Sequence, residues 1–216
     1  MQDSFRKCEK WMRALQALSL ITCALFATSA YSASTTVLVL GDSLSAEYGL
    51  VRGTGWVPLL QKRLQEEKVD ADIVNASISG ETTSGGKARL SGLLKKHRPS
   101  IVVIELGAND ALRGLSLAGT EANLRAMIIE SQKAHAKVLL VGMQIPPNYG
   151  SDYAKAFSAM YPRLARETKS SLVPFFLEDV ASKPDLFQAD RIHPTAAAQP
   201  LMLTTVWPYL KPLLTK

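Results

Sequence analysis

Five short apolar segments alternate with helical patterns along most of the chain, and this alternation limits the fold to very few architectures. The segments lie at residues 36–40, 72–77, 100–106, 137–143 and 172–177. Three of them are continuous apolar runs, which is typical of strands covered on both faces of a parallel sheet. The pattern therefore predicts an α/β protein, a three-layer αβα sandwich around a parallel sheet of about five strands.

Apolar side chains repeat at helical spacing between these segments. One stripe contains Trp56, Leu60 and Leu64, and further stripes begin at Leu124 and Tyr153. Such stripes predict helices that pack one face against the sheet.

Two prolines refine these boundaries. Pro174 makes the fifth segment an edge strand, since proline cannot donate to a strand ladder. Pro200 suits the first turn of a final helix, which we expect from about Pro200 to Leu213.

The first 32 residues have the layout of a secretory signal peptide. Four basic residues between positions 6 and 13 precede an uncharged stretch at 14–30 and then small residues. That stretch is short and rich in Ser and Thr for a spanning helix, which needs about 20 apolar residues. We therefore expect residues 1–32 to be removed and residues 33–216 to form one domain. The mature protein is then periplasmic or secreted, with no stable membrane insertion.

Composition narrows the chemistry of that domain. Both cysteines, Cys8 and Cys23, lie in the leader, so the domain offers no thiol nucleophile and no cysteine-based metal site. The net charge is +6, but basic and acidic residues are interspersed, which is typical of a solvated surface. Nucleotide-binding glycine motifs are absent from the sequence, so nucleotide phosphate binding has little support. Clusters of aromatic and basic residues are also absent, so we expect no nucleic-acid partner.

Four loops with chemically versatile residues follow predicted strands. Ser43 follows the first strand, Gly80 the second and Asn109 the third, while residues 190–194 follow the fifth. Because the carboxyl ends of parallel strands meet at one edge of a sheet, we expect these loops to converge there.

A serine hydroxyl needs an adjacent base to act as a nucleophile. Of the three histidines, His97 and His135 lie late in predicted helices among residues typical of an exposed surface. His193 instead lies in a loop at the carboxyl edge, and Asp190 precedes it by three residues. Ser43, His193 and Asp190 are therefore the candidate nucleophile, base and orienting acid.

The candidate donors for a developing oxyanion are the backbone N–H groups of Ser43 and Gly80 and the side-chain amide of Asn109. Each segment also has a structural interpretation. The segment around Ser43 has the composition of a tight turn. Asn109 or Asp110 suits a helix N-cap, and residues 190–194 suit a polar loop with a His–Asp contact. Taken singly, the segments leave both interpretations open.

Together, the four segments resemble the motif blocks of the SGNH hydrolases, also called the GDSL esterase/lipase family. GDSLS, Gly80 in ISGET, Asn109 in GAND and DRIHP occur in this order, each after a predicted strand. The chain is similar in particular to the bacterial periplasmic thioesterase I/lysophospholipase L1 branch. That similarity covers essentially the whole chain after the leader, including LGDSLSA, ELGANDALRG and IHPTAAAQP.

The resemblance implies a flavodoxin-like fold and a serine esterase that needs no metal or cofactor. It implies hydrolysis of carboxylic esters and acyl thioesters, among them aryl esters, lysophospholipids and fatty acyl thioesters, through an acyl-enzyme. Ser43 is then the nucleophile, with His193 as base and Asp190 as its partner. Ser43, Gly80 and Asn109 form the oxyanion hole. We expect a monomer that acts on a small-molecule ester or lipid.

Some points stay open at this stage. Relatives often carry a small residue at the position of Glu47, whose charge we expect to disfavour anionic substrates near the entrance. Ile145, Pro146 and Tyr149 are candidate substrate-binding residues, although they suit loop packing equally well. Two other functions use the same residues: deacetylation of a carbohydrate, and ligand binding without catalysis by an exported module.

Overall fold

The computed structural model describes residues 35–215, so the predicted signal peptide lies outside the described residues. These residues contain a five-stranded parallel sheet with the strand order β2-β1-β3-β4-β5. The strands are β1 (Thr35–Gly41), β2 (Ala71–Asn75), β3 (Ile101–Glu105), β4 (Lys137–Val141) and β5 (Ser171–Val173). Each predicted strand is present, although β5 ends at Val173 and not at residue 177 as predicted. The prediction of a parallel α/β sandwich is confirmed.

Helices cover both faces of this sheet. They are α1 (Trp56–Glu66), α2 (Thr83–His97), α3 (Ala108–Leu112), α4 (Leu117–Lys133), α5 (Ser151–Thr168) and α6 (Gln199–Leu214). Helix α1 packs against α6, while α4 packs between α2 and α5. Within residues 35–215, none of these helices is long and apolar enough to cross a membrane.

The core lies where the predicted stripes meet the sheet. Trp56, Leu60 and Leu64 of α1 are fully buried, as are Phe157 and Leu164 of α5. The central strands β1 and β3 are buried along almost their whole length, which is the reason that they read as continuous apolar runs. The helix stripes therefore identified the buried faces correctly.

Both proline predictions are confirmed. Strand β5 is at the edge of the sheet and ends at Val173, directly before Pro174. Pro200 lies in the first turn of α6, where its missing N–H costs no helical hydrogen bond.

Two local predictions are wrong. Neither Asn109 nor Asp110 is the N-cap residue of the short helix α3, because Gly107 occupies that position. The Asp110 carboxylate instead accepts hydrogen bonds from the backbone N–H (2.9 Å) and the hydroxyl (2.6 Å) of Thr83, at the start of α2. His135 lies in a turn beyond the end of α4 rather than within a helix.

Candidate active site

The carboxyl edge of the sheet brings the predicted residues together. Ser43 lies in the turn after β1, and Gly80 lies in the loop after β2. Asn109 is in the first turn of α3, directly after β3. Asp190 and His193 lie in the loop that leads to α6. All four loops therefore meet where a parallel sheet positions its ligands.

A continuous chain of hydrogen bonds joins Ser43 to Asp190. His193 Nε2 lies 3.0 Å from Ser43 Oγ, and His193 Nδ1 lies 2.7 Å from Asp190 Oδ2. The other carboxylate oxygen of Asp190 accepts the backbone N–H groups of His193 (3.0 Å) and Ile192 (2.9 Å). These two backbone bonds, followed by the bond to the imidazole, lower the pKa of Asp190 to about 2. The aspartate is therefore ionised at neutral pH and favours a proton on Nδ1, which leaves Nε2 as an acceptor for the serine proton.

The loop that carries His193 is tied back on itself. The backbone N–H of Gln188 donates to the His193 carbonyl (2.8 Å), and Phe187 forms an isolated antiparallel bridge with Pro194. Arg191, at the tip, has a φ of 58°. These contacts fix the position of the imidazole through the backbone.

Tyr48 covers one side of this imidazole. Its ring centroid lies 4.3 Å from that of His193, with an angle of 36° between the planes. The Gln188 side-chain amide donates to the Tyr48 carbonyl (2.9 Å) and to the Pro194 carbonyl (3.1 Å), which links the two loops. Sequence reasoning missed Tyr48 and Gln188, since neither belongs to a motif with a chemical rationale and only the fold brings them to His193.

The three candidate oxyanion donors lie on separate loops. The Asn109 amide nitrogen donates to Asp42 Oδ2 (3.0 Å), and this is the amide's one hydrogen bond within residues 35–215. Gly80 has a φ of 78°, in the left-handed region that favours glycine. Its carbonyl accepts a hydrogen bond from Arg113 (2.8 Å), which holds the peptide that follows Gly80.

Two carboxyl groups are buried next to the Ser43 turn. Glu105, the last residue of β3, is fully buried and accepts the Asp42 backbone N–H (3.2 Å) and the Ser45 hydroxyl (2.7 Å) on Oε2. Burial raises the pKa of Glu105 well above its ordinary value, and the neighbouring Asp42 charge raises it further. Burial also raises the pKa of Asp42, to about 6. Sequence analysis gave neither carboxyl group a role.

Glu47 stabilises its own loop. The residue has a φ of 60°, and its Oε1 accepts the backbone N–H groups of Gly53 (2.9 Å) and Gly55 (2.7 Å). The Glu47 carboxylate, whose charge we expected near the entrance, therefore binds backbone N–H groups of its own loop. Beside this loop lies an open groove of ≈ 660 Å³, which is also lined by α1 and β2.

The three candidate substrate-binding residues do not line a common surface. Ile145 is only 8% exposed and belongs to the hydrophobic core, as loop packing requires. Pro146 and Tyr149 are exposed, Tyr149 in a short 3₁₀ helix (Pro147–Tyr149). In the described part of the chain, no group of three or more His, Cys, Asp or Glu side chains is arranged to hold a metal ion.

Comparison with known proteins identifies the family of this chain. Residues 39–200, most of the chain, match the GDSL-like lipase/acylhydrolase family. The chain belongs to this family. The predictions of the family and, with the relatives below, of an esterase are therefore confirmed.

Several members of the family are similar over most of their length. Esterase TesA from Pseudomonas aeruginosa is 52% identical over 201 residues, which cover 93% of this chain and all of TesA. Thioesterase 1/protease 1/lysophospholipase L1 from Escherichia coli is 45% identical over 182 residues, which cover 84% of this chain and 86% of that protein.

Solved structures show the same relationship. A crystal structure of TesA superposes with a TM-score of 0.81 at 54% identity, covering 83% of this chain and 99% of that one. The psychrotrophic esterase EstA from Pseudoalteromonas, solved inhibited by monoethylphosphonate, gives a TM-score of 0.80 at 44% identity. It covers 84% of this chain and all of EstA.

Proposed function

We propose that Ser43 attacks the carbonyl carbon of a carboxylic ester or acyl thioester, with His193 as general base and Asp190 as its orienting partner. The 3.0 Å contact between Ser43 Oγ and His193 Nε2 carries this proposal. Nucleophile and base lie within the distance that proton transfer requires, and a third group orients the base.

The reaction proceeds in two halves. His193 takes the Ser43 proton as Oγ bonds to the carbonyl carbon, and the imidazolium then gives that proton to the leaving alcohol or thiol. The acyl group stays on Ser43 Oγ. A water molecule next gives its proton to His193 and attacks the acyl-enzyme, so that the acid leaves and Ser43 recovers its proton.

Charge develops at two places during each half. The imidazolium faces the Asp190 carboxylate at 2.7 Å and the ring of Tyr48 at a centroid distance of 4.3 Å, and both contacts stabilise a positive charge. The oxyanion is stabilised by the Ser43 and Gly80 N–H groups and the Asn109 amide. One such donor is worth about 2.7–4 kcal/mol in the transition state.

We further propose that the acyl groups are apolar and that the substrates include aryl esters, fatty acyl thioesters and lysophospholipids. Two observations support this range. The E. coli relative is named a thioesterase and a lysophospholipase. Exposed apolar side chains also follow the strands at the carboxyl edge, namely Tyr48, Val51, Ile78, Leu115 and Tyr149. This set includes Tyr149, one of the two exposed candidate substrate-binding residues.

The proposal includes export. A leader at residues 1–32, removed before residues 33–216 act as a monomer in the periplasm or outside the cell, agrees with the basic, uncharged and small-residue segments of the sequence. Mass spectrometry of the protein purified from an expressing bacterium measures the new N-terminus, which we expect between residues 30 and 33.

Steady-state kinetics on p-nitrophenyl esters test the reaction. Ser43→Ala and His193→Ala are each expected to lower kcat by at least about 10³. Ser84→Ala and His135→Ala are matched controls, because both residues are exposed and lie outside the site. Wild-type turnover by Ser43→Ala contradicts the proposal.

A substrate panel defines the specificity. It compares p-nitrophenyl esters of increasing chain length with an acyl-CoA thioester, a lysophosphatidylcholine and an acetylated sugar. We expect release of fatty acid from the acyl substrates to exceed release of acetate from the sugar. The reverse order contradicts the assignment of apolar acyl groups and favours carbohydrate deacetylation.

A further inference from the structure

The proposed reaction leaves two buried carboxyl groups without a role, and both lie directly behind the nucleophile. Asp42 is 1% exposed and Glu105 is fully buried. Glu105 is the last residue of β3, and Asp42 directly follows β1, whose last residue Gly41 pairs with Glu105. A Cβ atom at Gly41 would lie 2.7 Å from Glu105 Oε2, so the glycine makes room for this carboxyl group.

The surroundings of Glu105 suit a neutral carboxylic acid. Oε2 accepts two hydrogen bonds, from the Asp42 N–H and the Ser45 hydroxyl, as a carbonyl oxygen does. Oε1 is buried and has no partner among the described residues. An ionised carboxylate in this position leaves an anionic oxygen unpaired next to a second carboxylate. A protonated Oε1 leaves only a neutral hydroxyl unpaired, which costs less.

Asp42 has the surroundings of an anion. Its Oδ1 accepts the Leu44 N–H (3.0 Å) and its Oδ2 accepts the Asn109 amide (3.0 Å). The positive charge that forms on His193 during turnover also favours a negative Asp42, and their attraction opposes the rise in the Asp42 pKa. Only one negative charge is therefore buried at this place.

We propose that Asp42 and Glu105 are positioning residues for the oxyanion hole: neutral Glu105 supports the Ser43 turn, and anionic Asp42 holds the Asn109 amide. The inference rests on the proposed reaction through Ser43. Because one N–H of the amide is held by Asp42, its second N–H has a fixed direction before substrate arrives. Donors that are fixed in advance stabilise an oxyanion without reorganisation at the moment of reaction.

A double-mutant cycle tests the coupling of Asp42 to Asn109. Asn109→Ala is expected to lower kcat about 10²–10³-fold. Asp42→Asn presents an N–H to a neighbour that is itself a donor, and we expect kcat to fall about 10–100-fold with KM little changed. If Asp42 acts through the amide, the double variant is at most about threefold slower than Asn109→Ala. If the kcat losses of the two single variants multiply in the double variant, the positioning role is overturned.

Infrared spectroscopy tests the state of Glu105 without reference to activity. At about pH 8, where ordinary carboxyl groups are ionised, we expect a carboxylic-acid C=O band in the wild type. The band is absent in Glu105→Gln, whose side chain has the shape of the neutral acid. Glu105→Gln also retains kcat within about threefold, whereas Glu105→Ala does not. A wild type without the band overturns the assignment of a neutral Glu105.

The same experiments distinguish a failure of this inference from a failure of the proposed function. All variants of the cycle are measured beside Ser43→Ala on the same ester. If the cycle variants turn over the ester faster than Ser43→Ala does, the reaction through Ser43 is intact, even where the cycle contradicts the role of Asp42. A Ser43→Ala variant as fast as the wild type overturns the reaction itself.

Discussion

Asp42 makes the stability of the fold depend on pH in a direction opposite to that of most surface carboxylates. Burial raises its pKa from 3.8 to about 6. The folded protein therefore holds this proton more tightly than the unfolded chain does, and stability falls as pH rises from about 4 to about 6. At about 1.36 kcal/mol for each pH unit, the rise corresponds to about 3 kcal/mol.

Asp42→Asn removes this titration and keeps the shape of the side chain. We compare the difference in free energy of unfolding between the two proteins at each pH. Any part of this difference that does not depend on pH is a constant offset and does not affect its change with pH. The wild type is therefore expected to lose about 3 kcal/mol relative to the variant between about pH 3.5 and pH 7. Among the described residues, Glu105, Tyr161 and His193 face Asp42 electrostatically. Burial raises the pKa of Glu105 and of Tyr161, and the attraction between Asp42 and His193 opposes the rise in the pKa of Asp42.

Urea unfolding at a series of pH values measures the difference directly, by linear extrapolation to water. Parallel curves for wild type and Asp42→Asn would refute the reasoning, because they would show that Asp42 titrates alike in the folded and unfolded states.

Three further perturbations address neighbouring contacts. Tyr48→Ala should lower kcat on an aryl ester about 3–10-fold by removing the ring beside His193, whereas Tyr48→Phe should keep it; equal losses contradict a role for the ring. Glu47→Gln should leave loop amides less well bound and lower the free energy of unfolding by about 1 kcal/mol, measured by urea unfolding. Asp190→Asn should lower kcat about 10³–10⁴-fold with the fold unchanged by circular dichroism. Stability that depends on Asp190 is present above about pH 4 and is lost as pH falls towards the lowered pKa of about 2. Solvent screening of this partly exposed pair keeps that loss small.

The layout of the fold followed from sequence because its signals are local. Continuous apolar runs, and apolar stripes at four-residue spacing, report burial directly. Pro174 indicated an edge strand and Pro200 the first turn of a helix, both through backbone chemistry alone. The carboxyl-edge rule then placed Ser43, Asn109 and His193 near one another without any knowledge of side-chain contacts.

The contacts that shape the site could not be predicted in the same way. Asp42 is a residue type common in turns, and only the folded structure shows that it meets Glu105 and Asn109. Glu105 sits inside an apolar run, where one acidic residue gives no sign of its partner. Tyr48 reaches His193 across 145 positions of sequence through a ring contact, for which no spacing rule exists.

The central claim is that Ser43 is an activated nucleophile. A fluorophosphonate probe reacts with such a serine and with no ordinary one, and peptide mapping by mass spectrometry locates the adduct. We predict one adduct, on the peptide that contains Ser43, formed much more slowly in His193→Ala and absent in Ser43→Ala. Labelling that persists in Ser43→Ala, or a wild type that does not react, contradicts the account.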